Sequence, residues 1–204
     1  RGRSGERKGE QPLLRAEGQA YIHYYKGSLV LYALRDYIGE DSLNSALRRF
    51  VGDKAYQMPP YTTSREFLGY LDRVTPDSLK PTLHDLFERI TFWEHTAQTA
   101  RAVRQTDSSW KVTLTVHARK VYADSLGTES PAPLGDYVDV GVFGDPEKGS
   151  KLGRALAVRK EKISAPEMTF EFTVKGEPRR AGIDPFNRLI DRTPEDNLTD
   201  VERP

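Results

Sequence analysis

Cysteine is absent from the 204 residues of this chain. Its absence excludes disulfide bonds, thiolate zinc sites and cysteine nucleophiles within the sequence. Long hydrophobic runs are missing too, since no apolar stretch approaches the roughly 20 residues that a helix needs to cross a bilayer. No signal-peptide pattern opens the chain, because Arg1–Lys8 is basic and glycine-rich with no apolar stretch behind it. We therefore expect neither thiol chemistry nor a transmembrane helix in these residues.

The charge balance also lacks a dominant sign. Lysine and arginine number 31 and aspartate and glutamate 30, for a net charge of +1. Nucleic-acid binding needs a concentrated basic field, so we predict no nucleic-acid partner. The sequence contains no Walker-type phosphate loop and no glycine-rich dinucleotide pattern. What remains is enough apolar material, 37% of residues, to fill the core of one large domain or two small ones.

The composition changes along the chain and predicts four parts. Residues 1–18 are rich in glycine and basic residues and are expected to be a flexible lead-in. Residues 19–95 are predicted to be helical, residues 96–190 to form a β-sandwich, and residues 191–204 to be a polar, fraying tail. The change from helix to strand is expected near residues 93–99.

Local signals divide the helical part into four helices. The first has Ile22, Tyr25, Leu29 and Tyr32 on one face. Gly39 marks its end. The next three helices are expected to start at Asp41 or Ser42, at the capping box Thr63-Ser64-Arg65-Glu66, and at Pro76-Asp77.

Alternation with a period of two residues predicts strands in the second half of the chain. Val112, Leu114 and Val116 alternate with polar residues, and the same pattern recurs at Val138, Val140, Val142 and at Phe170, Phe172, Val174. Ala100–Gln105 and Ala155–Lys162 add two more strands, and stretches rich in turn residues, such as 127–135 and 144–149, separate them. Short strands that follow one another without helices favour an antiparallel sandwich of Greek-key type.

One motif carries chemistry. Tyr24-Tyr25-Lys26-Gly27 lies at the start of the first helix, which continues into Ile38-Gly39-Glu40 and then Leu47-Arg48-Arg49-Phe50. In this order of motifs, over about residues 18–197, the chain resembles the gluzincin zinc aminopeptidases of the alanyl (membrane) aminopeptidase type. The stretches 56–64 and 182–192 resemble in particular the bacterial members joined to a permease of the ABC-2 transporter type.

The resemblance implies a fold, an activity and a site residue. The helical half would be the C-terminal part of a thermolysin-like catalytic domain, and an immunoglobulin-like β-sandwich would follow it. The parent protein would be a zinc-dependent aminopeptidase acting on peptides. Tyr24 would be its catalytic tyrosine, donating a hydrogen bond to the oxyanion, with Tyr25 in that role if the register shifts by one residue. Gly27 would let the helix approach a neighbour closely.

The chain departs from the family pattern because it lacks the motifs that bind zinc and the substrate amine. His-Glu-x-x-His, the third-ligand glutamate and the Gly-x-Met-Glu-Asn-type loop that binds the substrate amine have no counterpart here. We therefore expect zinc in the parent protein, held by an upstream catalytic domain, none bound by this fragment, and no activity from the fragment alone. The resemblance implies that the chain is a soluble extramembrane domain of a bacterial inner-membrane protein. It would lie on the periplasmic side, next to a membrane permease domain.

Other interpretations stay open. Aromatic packing is the alternative role for the tyrosines, and a non-catalytic binding or scaffolding module of a permease-associated protein is the alternative function of the segment. An independent sugar- or protein-binding sandwich has no supporting motif. Four histidines occur, His23, His84, His95 and His117, and none has the spacing of a zinc site. The carboxylate pairs Asp136/Asp139 and Asp184/Asp191 suggest calcium binding or acid–base chemistry but lack the dense oxygen-ligand spacing of a calcium loop, and Asp184-Pro185 and Asp191-Arg192 favour turn residues or a local ion pair. The basic residues Arg154, Arg159, Lys160 and Lys162 are expected to be a solvated strand face, with a contact to anionic lipid as the alternative.

Overall fold

The computed structural model describes residues 9–146 and 152–203 of the chain. The first eight residues of the predicted lead-in, the second half of the turn-rich stretch 144–149, and Pro204 lie outside the described residues. The protein is an α+β structure with antiparallel sheets that do not close into a barrel. Two compact units make it up: residues 1–91 with 122–130, and residues 92–121 with 131–204.

The first unit contains the helices. A π-helical turn, Tyr21–Lys26, leads directly into the first α-helix. The α-helices are Gly27–Ile38 (α1), Glu40–Lys54 (α2), Ser64–Asp72 (α3) and Lys80–Glu88 (α4), with 3₁₀ turns at Leu13–Arg15 and Asp77–Leu79. No helix among the described residues combines the length and the apolar character that a membrane span requires.

The ends of the helices test the predicted signals. Gly39 has φ 84° and ends α1 as expected, because this left-handed conformation suits glycine. The capping box of α3 is confirmed, since the Thr63 side chain accepts from the Glu66 N–H and the Glu66 carboxylate from the Thr63 N–H. The predicted cap of α2 at Asp41 or Ser42 is wrong. That helix begins at Glu40, directly after Gly39, so both residues already lie inside its first turn.

The core of this unit forms where the apolar faces of the helices meet. The fully or nearly fully buried side chains include Ile22, Val30, Leu34, Leu71, Leu83 and Leu86. Aromatic rings join α2, α3 and α4, with the Phe50 and Phe67 rings 4.9 Å apart and the Phe67 and Phe87 rings 6.3 Å apart. Residues 9–18 fall in the predicted flexible lead-in, yet they carry the first 3₁₀ turn and are bonded to the rest of the unit.

The strands form two sheets of four. They are Ile90–Arg104 (β1), Trp110–Ala123 (β2), Glu129–Pro131 (β3), Tyr137–Phe143 (β4), Ala155–Lys162 (β5), Glu167–Val174 (β6), Arg180–Ile183 (β7) and Leu198–Asp200 (β8). One sheet has the order β1-β2-β3 with β6 also paired to β2, and the other has the order β5-β4-β7-β8. The β5 bounds match the predicted strand, and β1 begins two residues after α4.

Two strand predictions need correction. β2 and β6 alternate between buried and more exposed residues as predicted, but β4 is buried on both faces, with Asp139 6% exposed. The loop after β7 contributes to covering β4, since Arg188 bonds to Asp139 and the Phe186 ring centroid lies 6.3 Å from that of Phe143. The fraying predicted for the tail is wrong over residues 191–203. β8 pairs with β7 through Leu198↔Gly182, and Glu202 exchanges backbone hydrogen bonds with Ala100 and Ala102 of β1.

Candidate functional site

Tyr24 lies on the π-helical turn at the start of α1. In this turn the Gly27 N–H reaches the carbonyl of Ile22, five residues back, so the turn is wider than an α-helical one. Ile22 is fully buried and anchors the turn, whereas Tyr24 is 70% exposed. Turns of this type are frequent at functional sites, and this one presents the phenol to solvent on a short, anchored backbone.

The surroundings of Tyr24 distinguish it from Tyr25. The rings of Tyr24 and His23 are in contact, with centroids 4.6 Å apart. Tyr24 also borders a pocket of about 350 Å³, whereas Tyr25 is not among the residues lining it. Within the described part of the chain, no side chain or backbone group bonds to the Tyr24 hydroxyl, so this donor is available to a ligand.

The pocket beside Tyr24 is mainly apolar. One wall comes from the π turn and α1, including Gly27 and Leu31, and the other from the 3₁₀ turn Leu13–Arg15, α3 and α4. The Ser64 hydroxyl at the start of α3 donates to the Leu14 carbonyl at 2.6 Å and joins the elements of the second wall. The pocket is therefore bounded by fixed elements and has Tyr24 among its lining residues.

Lys26 and Gly27, the last two residues of the motif, contact the segment that precedes the π-helical turn. Lys26 Nζ lies 3.7 Å from Glu10 Oε1, and its side chain is only 10% exposed. Burial lowers the Lys26 pKa, although the Glu10 charge partly offsets this effect. A Cβ added to Gly27 would lie 3.6 Å from Leu13 Cδ1, an ordinary contact distance. The predicted need for glycine at a close helix approach is therefore wrong at this position.

A zinc site is not built by these residues. No group of three or more histidine, cysteine, aspartate or glutamate side chains within residues 9–146 and 152–203 is arranged to hold a metal ion. In the first unit, His84 contacts Glu88 and Asp72 at 3.2 and 3.8 Å, and His23 contacts Tyr24. The residues present therefore do not fit the zinc ion that the family resemblance implies.

A second pocket, missed in the sequence, lies within the other unit. His95 and His117 line it together with Asp191 and Asp196, in a volume of about 230 Å³. Burial lowers the His95 pKa to about 4, so this imidazole is neutral near pH 7. The pairing was not visible in sequence because 95 and 117 lie on different strands, β1 and β2, which are neighbours only once the sheet has formed.

The four carboxylates singled out in the sequence are all engaged inside this second unit. Asp136 accepts from Trp93 Nε1 at 2.9 Å and from Lys120 Nζ at 2.7 Å. Asp139 is bonded by Lys160 and Arg188. The remaining two carboxylates, those of Asp184 and Asp191, accept backbone N–H groups of their own loops and of β1.

Asp184 is the most unusual of these carboxylates. It has φ 42°, in the left-handed region, and is 1% exposed. Burial raises its pKa to about 7, while hydrogen bonds from the Leu189 and Arg188 N–H groups oppose that shift. Its two bonded oxygens cap the loop 184–189, so the role of Asp184 is structural.

The basic face of β5 is engaged in the same way. Arg159 pairs with Glu161 at 2.5 Å and stacks on the Phe172 ring, with its guanidinium carbon 4.2 Å from the centroid. Lys160 pairs with Asp139 at 3.0 Å. Both side chains therefore already have partners within this unit.

In comparison with known proteins, the chain matches no family model and no curated protein sequence.

Proposed function

We propose that this chain is the C-terminal portion of a zinc-dependent aminopeptidase of the gluzincin class, with Tyr24 as the hydrogen-bond donor to the oxyanion. The observation that carries the proposal is that Tyr24 is exposed, lines an apolar pocket of about 350 Å³, and has a hydroxyl without a partner among the described residues. The helical segment 19–95 would complete a thermolysin-like catalytic domain, and residues 96–190 would be the immunoglobulin-like sandwich after it.

The chemistry of tyrosine suits this role. Attack on a peptide carbonyl places negative charge on its oxygen, and a donor aimed at that oxygen stabilises the transition state more than the ground state. The phenol of Tyr24 is a neutral donor on a long arm, and the buried Ile22 beneath it limits movement of the turn. The neighbouring pocket offers an apolar recess for a side chain of the peptide.

We assign zinc to residues outside this sequence, because residues 9–146 and 152–203 contain no group of side chains that fits the metal. In the parent, an upstream catalytic domain would supply zinc ligands and the general base, and a membrane permease domain would accompany the peptidase at the periplasmic face of a bacterial inner membrane. The 204 residues alone would be inactive, and peptides are the predicted substrate.

The test is a kinetic comparison in the intact parent protein. Tyr24→Phe is expected to lower kcat about 100- to 1,000-fold on an aminoacyl p-nitroanilide with little change in KM, since the lost bond forms mainly in the transition state. Tyr25→Phe is a matched control, because Tyr25 is the next residue and is 65% exposed against 70% for Tyr24. It should leave kcat within twofold.

Two outcomes would refute the assignment of Tyr24. Equal kinetics for Tyr24→Phe and the unmodified enzyme would remove its catalytic role, and a large loss with Tyr25→Phe alone would move that role by one residue. Reading the sequence upstream of Arg1 is an independent test. A His-Glu-x-x-His motif followed by a glutamate supports the peptidase proposal, and its absence contradicts it.

A non-catalytic scaffolding module is the second candidate. It is favoured by the apolar face that α1 leaves exposed, where Tyr25, Leu29 and Tyr32 are 65%, 45% and 42% exposed. A face of this kind is also expected where the missing part of a catalytic domain would pack. The zinc motif separates the two candidates, because degenerate ligands upstream would leave the fold intact and move the function to binding.

A further inference from the structure

The loop between α2 and α3 carries three strongly exposed large apolar side chains of the helical unit. Tyr56 is fully exposed, and Met58 and Tyr61 are 78% and 71% exposed. Val51, one turn before the end of α2, adds another at 60%. Four large apolar groups at one end of a helix pair are costly to leave in water, so this end of the unit is a candidate interaction surface.

The loop is held in place at both ends. The Gln57 N–H bonds to the Lys54 carbonyl, and the Gln57 side chain donates to the Pro60 carbonyl. The capping box at Thr63 then starts α3. The two prolines of the loop have no N–H group, which reduces the number of backbone donors that would lose water on contact with an apolar phase. The apolar side chains are therefore presented by an anchored loop.

Arginines without ion pairs lie close to these side chains in sequence, with Arg48 three residues before Val51 and Arg65 four residues after Tyr61. Residues 48–66 contain four cationic and two anionic side chains, for a net charge of +2. Lys54 pairs with Glu66 at 2.6 Å, and Asp53 accepts from the Tyr70 hydroxyl at 2.8 Å. Arg48, Arg49 and Arg65 form no ion pair with any described residue.

We propose that this end of the helical unit, from Arg48 to Arg65, docks on the surface of an anionic phospholipid bilayer. Tyrosine suits such a surface because its ring is apolar and its hydroxyl stays with the head groups. The free guanidinium groups match anionic lipid phosphates, each worth about a fivefold gain in binding. The arginines therefore favour anionic lipid over a neutral apolar partner, and the proposal does not depend on the peptidase activity.

Vesicle sedimentation of the full 204-residue chain tests the proposal. At low salt we expect binding to vesicles of phosphatidylcholine with phosphatidylglycerol and at least tenfold weaker binding to phosphatidylcholine alone. A triple variant, Tyr56→Ser, Met58→Ser and Tyr61→Ser, should reduce the partition coefficient at least about tenfold by removing the apolar contact. Neutralising the three free arginines to glutamine should reduce it about 100-fold and remove most of its salt dependence.

A matched control keeps the test specific. Tyr25→Ser, Leu29→Ser and Leu126→Ser remove three exposed apolar side chains elsewhere in the same unit and should leave binding within twofold. Circular dichroism should show the same helix content for all variants, because each changed side chain is exposed. Failure of the unmodified chain to bind anionic vesicles would overturn the proposal and leave a protein as the occupant. Equal binding to neutral vesicles, or an equal loss in the control, would overturn it as well.

Discussion

Replacing Lys120 by methionine removes one partner of a buried ion pair in the sheet unit. Lys120 Nζ lies 2.7 Å from Asp136 Oδ2, and the two side chains are 4% and 5% exposed. Trp93 Nε1 donates to the same carboxylate oxygen at 2.9 Å, and the lysine nitrogen lies 5.3 Å from the Trp93 ring centroid. The substitution therefore leaves a buried carboxylate without its cationic partner.

The expected loss is large because charge burial is costly. Removing one member of a buried pair typically costs 3–5 kcal/mol, so we expect Lys120→Met to lower the free energy of unfolding by about 4 kcal/mol. Changing both residues, Lys120→Met with Asp136→Leu, should cost less than the single change, since an apolar pair of similar size replaces the charges. The remaining cost, about 1–3 kcal/mol, comes from the Trp93 N–H that loses its acceptor.

Urea unfolding followed by tryptophan fluorescence measures this loss of unfolding free energy in the sheet unit, which contains Lys120. Both tryptophans of the chain, Trp93 and Trp110, lie in the sheet unit, so the signal reports on it directly. With a slope of about 2 kcal/mol per molar urea, the midpoint should fall by about 2 M. Lys111→Met is the matched control on the same strand, because Lys111 pairs with Glu171 at 2.8 Å with both side chains about half exposed.

The result that would refute this reasoning is a small loss. A Lys120→Met variant within about 1 kcal/mol of the unmodified chain would mean that water or relaxation compensates the carboxylate. A double variant that loses as much as or more than the single variant would also contradict the argument, because the cost would then come from packing and not from an unpaired charge.

Two further predictions concern the same unit. The His95 pKa, about 4 when folded against an ordinary 6.5, makes the unfolded state bind more protons between these values, so stability should fall as pH drops below 6.5. Between pH 7 and pH 5, protonation of this residue should lower the free energy of unfolding by about 2 kcal/mol. In His95→Gln the difference in unfolding free energy between the two pH values should be smaller by that amount. An unchanged difference would contradict the lowered His95 pKa. Gly182→Ala should destabilise β7 because its Cβ would lie 2.0 Å from the Asn197 carbonyl, whereas the matched change Gly69→Ala meets nothing within 4 Å and should not lower the melting temperature. Equal melting temperatures for the two alanine variants would contradict the close approach of β7 and the segment before β8.

Several elements were predictable because their causes are local. The capping box at Thr63 depends on atoms three residues apart, and Gly39 ends α1 through its own backbone conformation. The alternation of β2 and β6 follows from the two-residue period of a strand with one buried face. In each case the residues that decide the structure are neighbours in sequence.

The candidate site was predictable only in part. The sequence identified Tyr24 as the candidate and left Tyr25 as an alternative, while the structure adds that Tyr24 borders the pocket and contacts His23. The burial of Lys26 against Glu10 could not be predicted, because Glu10 was assigned to a flexible lead-in. A pairing across 16 residues depends on how the segment around Glu10 folds back on the π-helical turn, and the local composition contains no signal for this.

The sequence by itself determined the four helices, the capping box of α3, the Gly39 end of α1 and the alternation of β2 and β6, since each depends on short-range periodicity or on a few adjacent residues. Only the tertiary structure decided which strand was buried on both faces, that the polar tail closes two sheet edges, and that His95 and His117 share a pocket. The physical reason is that burial and charge pairing depend on neighbours distant in sequence. The loop after β7 contacts β4 through Arg188 and Phe186, and the tail is ordered because strand edges offer it backbone partners.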